Sequence, residues 1–330
     1  MSSTVVPKTD PNTDPHRSIG FIQNPDGSVT RVGEFLPASP ASSDPASLLP
    51  VLSKDIPINQ ENNTWARVYL PRQPEPADAL ADKLPIVVYY HGGGFVTCTA
   101  ATTFFHKLCF EITSEIPAVI VSVEYRRAPE HRLPAAYDDG MEALHWVRTT
   151  GDEWLTKYAD YSKCFLMGSS AGGNIVYHVG LRAVTCIERL MPLKIQGLIL
   201  HQPFFGGVER TPSEIRLASN KAFPTSVADI LWDLGLPIGV DRDHEYSNPM
   251  TAVRSHALEK VRDQGWRVLV TGCDGDPLVD RQMGFVKMLK EKGVNVIGEF
   301  SEGGFHGVEF GDDSKAKILY GVVKNFLLSL

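Results

Sequence analysis

A serine among glycines is the first residue of the chain whose surroundings suggest chemistry. Ser170 is the centre of Gly168-Ser169-Ser170-Ala171-Gly172, a G-x-S-x-G pattern between the apolar run Cys164–Ser169 and a helix-length segment. Between a strand and a helix this pattern predicts a sharp turn that exposes the hydroxyl, because the glycines let neighbouring backbone pass. The pattern alone also fits an ordinary glycine turn, so Ser170 as nucleophile is a prediction that needs partners.

A run of three glycines supplies the second signal. His91-Gly92-Gly93-Gly94-Phe95 ends the apolar run Ile86–His91. Glycines leave backbone N–H groups unshielded, and such groups can stabilise the oxyanion of an acyl-transfer reaction. The alternatives are a flexible loop or a phosphate cradle, although no G-K-[ST] follows. The predicted oxyanion donors are the amides of Gly93, Gly94 and Ala171.

An acid and a base follow the last apolar runs. Asp274, Asp276 and Asp280 lie in Gly272-Cys273-Asp274-Gly275-Asp276-Pro277-Leu278-Val279-Asp280, and His306 lies in Gly303-Gly304-Phe305-His306-Gly307. The order Ser, Asp, His along the chain is the one found in nucleophile-elbow hydrolases, in which the acid orients the imidazole toward the hydroxyl. Taken singly, an Asp-Pro pair is more often a turn former, and a histidine after glycines is more often a surface residue.

The elements that must position these residues alternate along the chain. Several apolar runs are continuously hydrophobic, which indicates strands buried on both faces of a mostly parallel sheet. The sequence therefore predicts a doubly wound α/β fold with helices on both faces. The predicted strands are Trp65–Leu70, Ile86–His91, Val119–Tyr125, Cys164–Ser169, Ile195–His201, Val268–Cys273 and Val296–Phe300. The predicted helices are Phe104–Glu115, Ala135–Arg148, Ala171–Leu190, Arg281–Lys292 and Ser314–Leu327.

Two segments break this alternation. Between Phe204 and His256 we predict no strand, only short helical patches such as Ser226–Leu234, and long segments of this kind are commonly functional. Near the N-terminus a short hairpin precedes an irregular covering stretch from Pro37 to Pro57. We predict one domain over residues 1–330, with a helical cap built from about 1–60 and 204–256 above the carboxyl ends of the strands.

Charge and cysteine content exclude several classes of partner. The net charge is -7 and no Lys/Arg cluster occurs, so neither nucleic acid nor a membrane surface is expected as a partner. Five scattered cysteines without a C-x-x-C pair argue against a disulfide framework or a zinc site. Met1 to Asp14 has no apolar stretch typical of a signal peptide, so we expect a cytoplasmic protein.

Taken together, these motifs resemble the plant carboxylesterases of the hormone-sensitive-lipase-like branch of α/β-hydrolases. The resemblance runs from about Trp65 to the C-terminus and also includes Tyr125–Asp139, which we interpret as structural. It implies an α/β-hydrolase fold, a triad of Ser170, Asp276 and His306, and an oxyanion hole at Gly93, Gly94 and Ala171. It favours Asp276 over its two neighbouring acids, and it implies no metal or organic cofactor.

The implied function is hydrolysis of small-molecule esters with short-to-medium acyl chains. Phe95, Leu278 and Phe305 are candidate substrate-binding residues, and we expect activity to rise with pH through a group near ~6.5. Two relatives give rival functions. Gibberellin receptors lack the catalytic histidine that is present here, and the legume isoflavanone dehydratase, a lyase, carries threonine where this chain has Ser170.

Overall fold

Apolar, β-branched runs become the strands of one central sheet. The computed structural model describes residues 15–34, 36–44, 46–72, 83–251 and 255–329. Within these ranges the strands are β1 (Phe21–Gln23), β2 (Val29–Arg31), β3 (Val51–Asn59), β4 (Thr64–Pro71), β5 (Leu84–Tyr90), β6 (Val119–Glu124), β7 (Ala159–Ser169), β8 (Ile195–His201), β9 (Arg267–Cys273) and β10 (Asn295–Ser301).

The sheet has eight strands in the order β10-β9-β8-β7-β5-β6-β4-β3. The strands from β10 to β6 are parallel, whereas β4 and β3 pair antiparallel at one edge. All six residues of β6 are buried, as expected for a strand that is covered on both faces. Because parallel strands end at the same edge, the loops after β5, β7, β9 and β10 can meet there.

Helices cover both faces of the sheet, as predicted. Apolar side chains of α2 and α11 form one core layer, and those of α3, α5 and α10 form the other. The helices of the described residues are α1 (Pro15–Ser18), α2 (Thr103–Glu115), α3 (Ala135–Thr149), α4 (Glu153–Tyr158), α5 (Ala171–Val184), α6 (Ile187–Leu190), α7 (Pro212–Arg216), α8 (Thr225–Gly235), α9 (Ser255–Asp263), α10 (Val279–Glu291) and α11 (Asp313–Leu328).

Two predicted boundaries are wrong. The stretch Pro37–Pro57 is not irregular throughout, because its end belongs to β3, which pairs with β4 at the sheet edge. The predicted helix Ala171–Leu190 is two helices, α5 and α6. The Thr185 hydroxyl donates to the carbonyl of Arg182 at 2.7 Å, and this local bond accompanies the end of α5.

The predicted cap bounds are partly wrong, because residues 51–59 of the first predicted segment form β3 of the central sheet. Residues 204–256, with 252–254 outside the described ranges, carry α7 and α8 and no described strand. The antiparallel pair β1–β2 is the predicted hairpin. The first part of the N-terminal stretch, Met1 to Asp14, lies outside the described residues. No helix of the described ranges has the length and apolarity that a bilayer crossing requires.

Candidate active site

The predicted nucleophile occupies a strained turn between β7 and α5. Ser170 has φ 55° and ψ −118°, a conformation that residues with a side chain rarely adopt. Its N–H donates to the carbonyl of His201 at 2.9 Å, and its carbonyl accepts from Phe204 N–H at 2.9 Å. A Cβ on Gly172 would collide with the carbonyl oxygen of Tyr90, so this close approach requires glycine.

The imidazole of His306 bridges the hydroxyl and a carboxylate. The distance from His306 Nε2 to Ser170 Oγ is 2.9 Å, and the distance from His306 Nδ1 to Asp276 Oδ2 is 2.9 Å. A carboxylate only accepts, so Nδ1 carries the proton and Nε2 is free to accept from the hydroxyl. The structure thus brings together the three residues that were predicted as a triad, from loops after β7, β9 and β10.

The carboxylate of Asp276 is fully buried and has further donors. Oδ1 accepts from the Leu278 N–H at 2.9 Å, and Oδ2 accepts from Gln282 Nε2 at 2.9 Å. The other two acids face elsewhere. Asp274 accepts from Gly303 N–H at 2.7 Å, and Asp280 accepts from Ser213 N–H at 2.7 Å. Sequence reasoning missed Gln282, because an amide one turn into a helix carries no motif.

The surroundings of His306 act on its pKa in opposite directions. Burial lowers the pKa of the imidazole, because the charged form loses water. The charge and hydrogen bond of Asp276, together with the charge of Glu309, raise it, and the net result is a pKa above the ordinary value of 6.5. The imidazole therefore gains a proton more readily than free histidine does.

The glycine loop after β5 lies against the nucleophile. A Cβ on Gly92 would lie 3.2 Å from Cβ of Ser170. The next three residues all have positive φ, 105° at Gly93, 62° at Gly94 and 65° at Phe95. Within the described residues, neither the N–H of Gly93 nor the N–H of Gly94 donates a loop or turn hydrogen bond to a backbone carbonyl. Ala171 begins α5, so its N–H has no partner within the helix.

A surrounding set of polar contacts fixes this loop. The carbonyl of Gly93 accepts from Val96 N–H at 3.0 Å, and the Tyr125 hydroxyl donates to the carbonyl of His91 at 2.8 Å. The rings of Tyr125 and His91 are stacked with centroids 4.2 Å apart. Burial lowers the pKa of His91 to about 3, so its imidazole is neutral. Tyr125 therefore contacts the residue before the glycines, and it belongs to the stretch Tyr125–Asp139 that was interpreted as structural.

The candidate substrate-binding residues differ in exposure. Phe95 is 1% exposed and Leu278 is 2% exposed, so both side chains belong to the core around the site. Phe95 packs against Trp232 of α8, with ring centroids 5.5 Å apart. Phe305 precedes His306 and is half-buried. Of the three, Phe305 is therefore the one whose ring is in part accessible in this conformation.

The donor groups of the described residues do not suggest a metal centre. No three His, Cys, Asp or Glu side chains of this part of the chain are grouped as metal ligands would be. The five cysteines are free thiols, and burial raises the pKa of Cys273, which lies behind the histidine loop, to about 11. The chemistry available at the site is that of a hydroxyl, an imidazole, a carboxylate and backbone amides.

Comparisons with known proteins identify the family to which the chain belongs. A family model described as alpha/beta hydrolase fold matches residues 87–310. Carboxylesterase 20 of Arabidopsis thaliana is 50% identical, over 97% of this chain and 98% of that protein. The 3-O-acetylpapaveroxine carboxylesterase CXE1 of Papaver somniferum is 41% identical, over 96% and 98%. A gibberellin receptor of Arabidopsis thaliana is 36% identical, over 84% and 80%.

A solved structure gives the same result at the level of the fold. The esterase of Pyrobaculum calidifontis superposes with a TM-score of 0.67 at 26% identity, over 84% of this chain and 85% of that one. The family match covers well over half of the chain, and the plant relatives cover nearly all of it. The chain therefore belongs to the α/β-hydrolase-fold family, in its plant carboxylesterase branch, and is a carboxylic ester hydrolase.

Proposed function

We propose that the chain hydrolyses small-molecule esters through an acyl-enzyme on Ser170. The observation that carries this proposal is the hydrogen-bonded line from Ser170 Oγ through His306 to Asp276, with both distances at 2.9 Å. A serine hydroxyl is a weak nucleophile unless an adjacent base removes its proton. His306 is such a base, and Asp276 holds it in the required tautomer.

Each step then uses a group that lies in the site. His306 takes the Ser170 proton as Oγ attacks the ester carbonyl, and the N–H groups of Gly93, Gly94 and Ala171 stabilise the oxyanion. The imidazolium then protonates the oxygen of the departing alcohol. The alcohol is released, and the acyl group remains bonded to Ser170 Oγ. The same imidazole next activates water, which releases the acid and restores the hydroxyl.

We propose short-to-medium acyl chains as substrates. The name of the Papaver relative refers to an acetyl compound, and an acetyl ester has the smallest acyl group of this class after formyl. Phe95, Leu278 and Phe305 are the proposed substrate contacts, and Phe305 is the most exposed of the three. Their apolar side chains suit an acyl chain or an aromatic alcohol.

The proposed cap consists of residues 204–256 and the N-terminal stretch before β3, because residues 51–59 of the predicted cap belong to the central sheet. Two contacts support it. Arg31 of β2 donates to the carbonyl of Val96 at 2.7 Å, and a Cβ on Gly94 would collide with Leu231 of α8. Both segments thus touch the glycine loop. Hydrogen exchange should slow in both segments when an organophosphate occupies Ser170, and unchanged exchange in either one would remove it from the cap.

We also propose a cytoplasmic location. All five cysteines are free thiols and four are buried, as is usual for a chain kept in a reducing compartment. Fractionation of the source tissue with an antibody to the chain tests this. Recovery with secreted or vacuolar markers would contradict it.

The function is tested with a series of p-nitrophenyl esters from acetate to palmitate. We expect turnover to be highest for the short and medium esters and to be lost in Ser170→Ala. Preference for palmitate alone would overturn the proposed acyl range. Tight gibberellin binding without turnover would indicate a receptor, and an elimination product without release of acid would indicate a lyase.

A further inference from the structure

The loop that carries His306 has little stiffness of its own. Three glycines with positive φ surround the histidine, 68° at Gly303, 105° at Gly304 and 79° at Gly307. Glycine restricts the backbone less than any other residue, so contacts from outside must fix the position of the imidazole. Asp276 fixes one ring nitrogen, but it does not hold the backbone of the loop.

One buried amide bonds to the backbone on both sides of the histidine. Gln202 Nε2 donates to the carbonyl of Phe305 at 3.1 Å, and Gln202 Oε1 accepts from the N–H of Gly307 at 2.7 Å. The side chain is 2% exposed, so water competes little for these bonds. A planar amide that holds residues 305 and 307 leaves His306 between two fixed peptide units.

The backbone of Gln202 is constrained as well. Its φ is 44°, in the left-handed region that residues other than Gly, Asn and Asp rarely adopt. Its N–H donates to the carbonyl of Thr271 in β9 at 2.7 Å. Strained backbone persists where the surrounding structure demands it, and such positions are concentrated at functional sites.

The segment that holds the histidine loop also holds the nucleophile. His201, the residue before Gln202, accepts from the N–H of Ser170 at 2.9 Å through its carbonyl. Two consecutive residues at the end of β8 therefore hydrogen-bond to the backbone of the nucleophile and to the backbone around the base. Both sides of the Ser170–His306 hydrogen bond are therefore held in part by this segment.

We propose that Gln202 is a positioning residue of the ester hydrolysis, which holds His306 in line with Ser170. The proposal rests on the proposed function, because it gives Gln202 a role through the Ser170–His306 pair. Loss of the amide should let the loop shift, and small displacements of a catalytic group lower the rate strongly. Binding of the ester depends on other side chains and should change little.

Three substitutions separate positioning from general stability. Gln202→Ala removes the amide but keeps the strained backbone. Gln202→Gly removes the amide and also relieves the strain at positive φ, so it should be more stable than Gln202→Ala. Gln202→Glu keeps an acceptor for Gly307 N–H but places a carboxylate against the carbonyl of Phe305. Gln196→Ala is the matched control, because this glutamine lies in β8, the strand that Gln202 follows, and donates to the carbonyl of Ser162.

We expect kcat to fall roughly 10- to 100-fold in both Gln202→Ala and Gln202→Gly, with KM changed less than about threefold. The inflection of kcat/KM with pH should move down toward the ordinary value for histidine, because the contact between His306 and Asp276 loosens. Gln202→Glu should recover part of the activity lost in Gln202→Ala if one of the two bonds suffices. Gln196→Ala should behave like the wild type.

Retention of kcat within twofold in Gln202→Gly, with an unchanged pH inflection, would overturn the role of Gln202. A loss of activity in Gln202→Ala that Gln202→Gly restores would also overturn it, because backbone strain alone would then be responsible. Organophosphate labelling of the wild type distinguishes this failure from failure of the proposed function. If Ser170 is labelled in the wild type, the ester mechanism stands whatever the Gln202 variants do.

Discussion

The ring of Phe223 stacks on the imidazole of His306, with centroids 4.5 Å apart and the planes inclined by 27°. Phe223 lies between α7 and α8, in the segment proposed as a cap. Its ring is nearly perpendicular to that of Phe204, with centroids 5.6 Å apart. The cap segment therefore contacts the base directly. An aromatic face favours the protonated, positively charged form of a stacked imidazole.

Replacement of Phe223 by Ala should lower kcat about two- to fivefold, the effect of losing about 0.5–1 kcal/mol of cation–π stabilisation of the imidazolium. It should also shift the pH inflection of kcat/KM downward, because the protonated form is less favoured. Phe223→Leu is the control that retains apolar cover without a ring. Equal pH inflections in the wild type and both variants would show that the stacking has no electrostatic effect.

The activity of the wild type should rise with pH through an inflection above 6.5. The pKa of His306 is raised, and only the neutral imidazole accepts the Ser170 proton. This modifies the expectation from sequence, which placed the inflection at the ordinary value. Asp276→Asn should move the inflection downward, because the main charge that opposes the effect of burial is then lost, and should lower kcat by about 10³–10⁴. Initial rates across a pH series measure both effects. Constant rates between about pH 5 and 8 would count against His306 as the base.

The glycine loop should not tolerate a methyl group at Gly94. Its φ is 62°, which is strained for alanine, and a Cβ would collide with the side chain of Leu231, so we expect Gly94→Ala to displace the loop and with it the proposed oxyanion donors. Loss of one such donor lowers kcat by about 10²–10³. The double variant with Leu231→Ala removes the collision but keeps the backbone strain, so we expect partial recovery in steady-state assays. Wild-type kcat in Gly94→Ala would exclude this loop from oxyanion binding.

Glu124 gives the fold a pH dependence that is separate from catalysis. Burial raises the pKa of its carboxyl to about 7, and Oε2 lies 3.6 Å from His91 Nε2 and accepts from Ala100 N–H at 2.6 Å. The folded state then binds more protons than the unfolded state between the ordinary pKa of 4.5 and about 7, so the contribution of Glu124 to stability falls as pH rises through this window.

Glu124→Gln should remove this fall, because the amide has no charge to bury. Relative to the wild type, the variant should therefore become more stable as pH rises. The difference between their free energies of unfolding should change by about 3 kcal/mol from acid to neutral pH, because each pKa unit corresponds to roughly 1.4 kcal/mol. Urea denaturation at several pH values measures it. A difference that stays constant with pH would show that folding does not raise the pKa of Glu124.

The sequence predicts the sheet interior better than its edge. Predominantly apolar runs such as Ile86–His91 identify buried parallel strands, because burial on both faces favours apolar side chains along the whole strand. The strand β3 was missed because Lys54, Asp55 and Pro57 interrupt its apolar pattern. It forms because β4 offers a free edge, and that pairing depends on tertiary structure, to which local composition gives no guide.

The residues of the candidate site are likewise predicted only in part from the sequence. Motifs identify Ser170 and His306, because a nucleophile elbow and a glycine-flanked histidine need particular residues at fixed spacing. The supporting amides of Gln202 and Gln282 carry no such pattern. Gln202 meets its partners from about a hundred positions away, and only the folded sheet brings the ends of β8 and β10 together. Sequence alone therefore could not select these two amides.

The central claim is that one hydroxyl, activated by one imidazole, carries the acyl group. Mass spectrometry after treatment with a small organophosphate tests it most directly, with Ser170→Ala and His306→Ala as controls. We predict one phosphoryl adduct per chain, on Ser170, with parallel loss of esterase activity, no adduct in Ser170→Ala and much slower labelling in His306→Ala. An adduct on another residue, or full inhibition without modification of Ser170, would contradict the account.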